Sequence, residues 1–238
     1  MLSEKPWRAE VVILFCAAQS ICLCLGMAAA GLLHKSGVNG FKQPEDSGNI
    51  VLATLCFQGV TWILIPVFLR QHQIGWREAF GLLGPKLHRA LLMAVAFVVL
   101  VLPVAWLLQE ASVAALTKLG WPPADQTAVA LLAGTNPPGL KIYLGVFAVV
   151  LAPVAEEFIF RGMLFPFVKQ LGYPRLAWFG VSALFALIHF DAAIFIPLFI
   201  LALALTWLYQ KTGNLLAPIV AHGLFNAANL AILFYAPK

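Results

Sequence analysis

The sequence predicts an all-α fold, a bundle of about seven transmembrane helices forming one integral-membrane domain over residues 1–238. Three observations predict it. Apolar residues make up 62% of the 238 residues and charged residues 11%, against roughly 25% charged in soluble domains. Apolar runs recur at close to the roughly 20-residue length a helix needs to cross a bilayer. Lysines and arginines flank these runs, with Arg161 the exception inside one.

The first run, 10–33, is too long for the apolar core of a cleaved signal peptide, so it reads as an uncleaved span. The second and third occupy 50–69 and 90–108. The fourth, 142–163, contains the run Glu156-Glu157-Phe158-Ile159-Phe160-Arg161. The fifth, 176–190, and the sixth, 193–209, are short, and Asp191 is the charge that separates them. The seventh covers 215–235. In the connection 70–89, Trp76, Phe80 and Leu83 interleave with Arg77, Lys86 and Arg89, which predicts a segment lying on the membrane surface. The longest connection, 109–141, carries the turn signals Trp121-Pro122-Pro123 and Asn136-Pro137-Pro138-Gly139, with an apolar stretch at 128–133 that reads as a short helix.

Charge sets the expected orientation. Lys5, Arg8, Arg70, Arg77, Lys86, Arg89, Lys169, Arg175 and Lys211 fall on one side of the seven runs. Lys35, Lys42, Lys118, Lys141 and Lys238 fall on the other. The excess puts the N-terminus in the cytoplasm and the C-terminus and the 109–141 connection outside. The net charge of +5 belongs to flanks that face anionic headgroups, so the bilayer is the implied partner and nucleic acid is not. The four cysteines, Cys16, Cys22, Cys24 and Cys56, lie in the first two runs and form neither a disulfide framework nor a CxxC metal site.

Polar groups at membrane depth are expensive and mark function when they cluster. Here they are Gln19, Gln58, Glu156, Glu157, Arg161, His189, His222, Asn226 and Asn229. Each helical residue advances about 100°, so Glu157 and Arg161, four apart, share a face and can pair. Glu156 points about 100° away and is the freer carboxylate. His222, Asn226 and Asn229 form one polar stripe, and Phe185 and His189 share a face. Isolated amides such as Asn229 and Gln58 read as interhelical glue. The Glu-Glu-Arg cluster with two histidines and an asparagine points instead to chemistry or transport. A desolvated carboxylate is a competent general base near neutral pH, and an imidazole can help hold a water. A second His and an Asn amide suit a developing oxyanion. That set supports attack of water on an amide bond. A GxSxG motif is absent, so nucleophilic catalysis is the weaker option. Zinc held by a Glu and two His is a further alternative, although HExxH is absent, and so is a proton-coupled transporter or a non-catalytic scaffold.

At these residues the chain resembles the CAAX-protease and bacteriocin-processing family of intramembrane endopeptidases, also called the ABI family, and is similar to type II CAAX prenyl proteases. The family signature is EExxxR, FxxxH and HxxxN on successive helices. It reads here as Glu156-Glu157-Phe158-Ile159-Phe160-Arg161, then Phe185-Ala186-Leu187-Ile188-His189, then His222-Gly223-Leu224-Phe225-Asn226. The stretch from Trp207 to Pro218 also looks typical, and 77–82 is similar to a common family segment. The resemblance covers about 144–229, inside a catalytic core of about 141–235. It implies that Glu156 activates water with His189, that His222 and Asn226 stabilise the oxyanion, and that Glu157 and Arg161 support the site. It further implies no cofactor, with zinc as the alternative, a peptide or protein substrate at the membrane, prenylated in some relatives, and a bacterial or archaeal cell membrane as location. Prolines 153 and 166 are expected to kink the fourth span.

Overall fold

The computed structural model describes residues 5–43, 46–82, 86–121, 123 and 138–235. Among these the fold is all-helical, as the apolar run lengths predict, with no strand. The 128–133 stretch lies outside the described residues. Five helices are long and apolar enough to cross a membrane, accompanied by two shorter apolar ones, Pro174–Leu187 and Leu216–Ile232. The protein is an integral membrane protein. The chain divides into two compact units, one spanning Pro6–Gly75 and the other Trp76–Lys238 together with the N-terminal end up to Lys5.

The Pro6–Gly75 unit pairs α1 (Ala9–Lys35) with α2 (Ser47–Gln71). α2 opens into a π-helical turn at Leu55–Gly59. Such a turn shifts hydrogen bonds from i−4 to i−5 and leaves carbonyls underused. Gln19 of α1 meets them: its amide N–H groups donate to Cys56 O at 3.1 Å and Phe57 O at 2.9 Å. Gln19 Oε1 accepts from Thr61 at 3.3 Å. Gly26 keeps the two helices close, since a Cβ there would lie 2.5 Å from Cys56 Sγ. At the other end Trp7, Phe15 and Phe68 pack edge to face.

In the second unit the helices are α3 (Trp76–Phe80), α4 (Leu87–Lys118), α5 (Pro138–Gln170), α6 (Pro174–Leu187), α7 (Ala192–Thr212) and α8 (Leu216–Tyr235). Its core joins α4, α7 and α8. Ala90, Ala94, Phe97 and Ala105 of α4, spaced on one helical face, meet Leu201, Leu205 and Leu208 of α7 and Ala217, Ala221 and Phe225 of α8. Alanines at these positions let the backbones approach, which is where association in lipid finds its energy. Trp106 of α4 donates to Asn229 Oδ1 of α8 at 2.8 Å, the interhelical glue the sequence suggests.

One expectation changes. The fifth apolar run ends as a helix at Leu187, not at Phe190, because Asp191 accepts from Ala193 N at 2.8 Å and caps α7. The intervening turn places Phe190 at φ 51°. The segment after Gly75 turns one face into the bundle. Ala79 and Phe80 are fully buried, and the Phe80 ring stacks edge-on to Phe158 of α5, 4.6 Å between centroids. Phe80 O accepts from Leu215 N at 2.9 Å, so α3 plugs the end of the bundle where α7 turns into α8.

That plug depends on Gly81. Its φ is +66°, and a Cβ there would meet the Gly213 carbonyl oxygen. Gly81→Ala is expected to lower the thermal unfolding midpoint in detergent by the equivalent of about 1–3 kcal/mol. Gly31→Ala, in open space within α1, should leave it unchanged or raise it. An unchanged midpoint for Gly81→Ala would disprove the close packing.

Candidate active site

The site grows from the irregularity of α5. After its first turns, Pro138–Val146, α5 widens into a π stretch at Phe147–Leu151, resumes as an α-helix over Ala152–Glu157, and widens again at Phe158–Leu164. Each widening closes on the residue before a proline. Ala152 N–H reaches Phe147 O and Phe165 N–H reaches Phe160 O. Pro153 and Pro166 follow, with no N–H to offer and a ring that clashes with the carbonyl four residues back. The chain takes up the clash as wide turns, where the sequence alone suggests kinks.

The first wide turn is an acceptor surface, and α8 is shaped to it. Asn226 Nδ2 donates to Ala148 O at 2.9 Å. One turn earlier Gly223 lies against Val149 O, which a Cβ would approach to 2.6 Å. Both partners belong to the segment that Pro153 leaves short of donors. Docking these two residues sets His222 of the same helix beside the glutamates.

The second wide turn carries Arg161, and the α-helical stretch before it carries Glu156 and Glu157. Arg161 Nη1 donates to Glu157 Oε1 at 2.7 Å and Nη2 donates to Ala202 O of α7 at 3.0 Å. The guanidinium lies 4.6 Å over the Phe185 ring of α6, a cation–π contact on a residue that also packs against Phe160, His189 and His222. His222 Nδ1 donates to the same Glu157 oxygen at 2.9 Å. Glu157 Oε1 thus takes two donors, while Oε2 has no partner among the described residues. Glu157 and Arg161 are 0% and 1% exposed and His222 3%.

Glu156 is the less engaged carboxylate. It is 9% exposed, and its Oε2 faces His222 Nε2 across 3.9 Å, beyond direct hydrogen-bond length. Because His222 Nδ1 carries the proton given to Glu157, a neutral ring presents a bare lone pair at Nε2. Two acceptors therefore face each other across this gap. His189 is not on a helix face. It sits in the turn after α6 and is exposed. Its Nδ1 donates to Phe185 O at 2.8 Å, which leaves Nε2 as an acceptor. Glu156 is within electrostatic reach of His222, His189, Glu157 and Arg161.

The structure brings Glu156, Glu157, Arg161 and His222 into one network, with His189 at its exposed edge. The hydrogen bond of Asn226 runs to α5, not to these side chains. Sequence reasoning missed three contributors. Phe185 and Gly223 stand inside the motifs and could have been weighed by side-chain character, whereas the Ala202 carbonyl has no sequence signal. Among the described residues no three His, Cys, Asp or Glu side chains are grouped to hold a metal ion, since Glu157 and His222 Nδ1 are turned onto each other.

Stranding either member of the buried ion pair leaves an uncompensated charge. Arg161→Ala and Glu157→Gln are each expected to lower stability by roughly 3–5 kcal/mol, read as a fall in the detergent unfolding midpoint. Two variants as stable as the parent would show that the pair holds nothing together.

Comparison with known proteins gives three results. Residues 138–228 match the family model described as type II CAAX prenyl endopeptidase Rce1-like. The chain is 30% identical over 78 residues to the UPF0177 protein YxdF of Lactococcus lactis subsp. lactis, which covers 32% of this chain and 42% of that protein. The chain thus spans less than half the length of the curated relative it matches. No solved structure matches. The matched segment holds α5, α6, α7 and most of α8, with all three motifs in it, and over these residues the chain is similar to the Rce1-like type II CAAX prenyl endopeptidases.

Proposed function

We propose that the protein is an intramembrane endopeptidase that hydrolyses a peptide bond of a membrane-anchored or prenylated substrate, with water activated by Glu156. The observation that carries this reading is the 3.9 Å gap between Glu156 Oε2 and His222 Nε2. A water oxygen about 2.8 Å from each donates one hydrogen to either acceptor and turns its own lone pairs outward. The oxygen attacks the scissile carbonyl carbon as Glu156 takes the proton. The carbonyl oxygen becomes an oxyanion. Asn226, which has a second amide N–H beyond the one on Ala148, is its proposed donor. Glu156 then passes the proton to the leaving nitrogen as the C–N bond breaks, giving a carboxylic acid and an amine and returning Glu156 to its carboxylate. Glu157, held by Arg161, fixes the His222 tautomer. His189, with Nε2 bare at the exposed edge, shares in holding the water and relaying its proton.

This reading departs in emphasis from what the family resemblance implies. The nearer imidazole to Glu156 is His222, which makes it a holder of the water and leaves the oxyanion to Asn226.

Glu156→Gln is expected to abolish cleavage of a membrane-anchored test peptide by purified protein while the unfolding midpoint stays near that of the parent. Cleavage at near-parent rate by this variant would end the glutamate mechanism. Activity lost to a chelator and restored by zinc, with one zinc per chain by elemental analysis, would favour a metalloprotease instead.

The two histidines should separate by readout. His189→Ala is expected to reduce kcat by about 10²–10⁴, the span typical of acid–base groups, with an unchanged midpoint, since the ring is exposed. His222→Ala should lower both kcat and midpoint, because it also removes a donor from buried Glu157. A His189 variant with full activity would remove that residue from the mechanism.

A further inference from the structure

In the Pro6–Gly75 unit, the start of α1 and the end of α2 flank an open cavity of about 570 Å³ lined by Pro6, Arg8, Arg70, Gln71, His72 and Gln73. We propose that this cavity binds the phosphate of an anionic phospholipid headgroup. Charge, preorganisation and backbone strain point to an anion here, independently of the endopeptidase reading.

Two arginines line the cavity, and arginine's planar fork suits phosphate oxygens. The carboxylate nearby is Glu10, whose 3.5 Å contact with Arg8 Nε is exposed and so holds Arg8 weakly. His72 fixes the frame that carries both arginines. Its Nδ1 donates to Phe68 O at 2.7 Å, and its Nε2 accepts the Arg8 backbone N–H at 2.9 Å. A carbonyl only accepts and a backbone N–H only donates, so the ring is locked as one neutral tautomer that bolts the start of α1 to the end of α2. The donors facing the cavity are then those of Arg8, Arg70 and the two glutamines.

Gln73 supplies the strain. α2 closes with Gln73 N–H on Arg70 O and Ile74 N–H on Leu69 O, a Schellman closure whose left-handed position favours glycine. The chain uses glycine for left-handed turns after five other helices, at Gly37, Gly81, Gly120, Gly172 and Gly213. Here it keeps glutamine at φ 52°, and that side chain lines the cavity. A residue held in a strained conformation beside two arginines is a mark of a ligand clamp. The cavity lies where two span-length helices begin and end, the level at which headgroup phosphates sit and where basic pockets between helices take anionic lipids.

The test uses the purified full-length chain in neutral detergent and measures the unfolding midpoint on titration with phosphatidylglycerol, phosphatidylcholine of the same acyl chains, or inorganic phosphate. Phosphatidylglycerol should raise the midpoint of the parent and phosphatidylcholine should not. In the double variant Arg8→Gln/Arg70→Gln the half-saturating phosphatidylglycerol concentration should rise about thirtyfold, taking each arginine's attraction to an anionic surface at its usual size. Gln73→Gly should match or exceed the parent's midpoint without lipid yet respond less to phosphatidylglycerol, which a purely structural glutamine would not do. Equal responses to the two lipids, or a full response in either variant, would overturn the site. An equal shift from inorganic phosphate would assign the cavity to a small anion and overturn the lipid.

Discussion

The Arg161 guanidinium, buried to 1% exposure in an apolar bundle, is the constraint around which the second unit is arranged. A charge removed from water must be met by opposite charge and by acceptors, or it costs several kcal/mol. Three helices meet it. α5 supplies Glu157 from one turn away, α7 supplies the Ala202 carbonyl, and α6 supplies the face of Phe185. α8 then joins through the second donor on Glu157, His222. The bundle closes around one cation, and the open side of His222 is what remains for Glu156.

Wide helical turns are the second organising device, and they work alike in both units. In α2 the turn at Leu55–Gly59 is answered by the Gln19 amide. In α5 the turn at Phe147–Leu151 is answered by the Asn226 amide. In each case a neighbouring helix offers N–H donors to carbonyls that its partner's own ladder underuses. In lipid no water can do this, so the amides serve as interhelical fasteners placed by backbone irregularity. Asn226 therefore has a structural duty whatever its part in chemistry.

Much of the fold was legible because apolar run length is a direct physical requirement of the bilayer. The helical class followed from it, and the Glu157–Arg161 pair followed from spacing within a single turn. Phase reasoning in 100° steps stops, however, at a helix end: His189 lies in the turn after α6 because Asp191 caps α7. The burial of Phe80 was hidden because its segment is basic overall, and the ring finds room only against Gly162, where a Cβ would lie 2.8 Å from it. Backbone acceptors such as Ala202 O carry no side-chain signature, so the motifs named most of the network's side chains but not the acceptor on α7.

The chain order of this network bears on how the protein is made. Synthesis delivers α5 before α6, α7 and α8, so the helix with Glu156, Glu157 and Arg161 reaches the insertion machinery before Ala202 and His222 exist. A single Asp, Lys or Arg at a helix centre costs roughly 2.5–3.5 kcal/mol on insertion. The pairing of Glu157 with Arg161 inside one helix neutralises two of the three charges at once, without waiting for any partner. It acts as a provisional closure during biogenesis, and α7 and α8 later take it over. A bridge between two helices with the same final contacts would lack this property, because each half would have to enter the membrane alone.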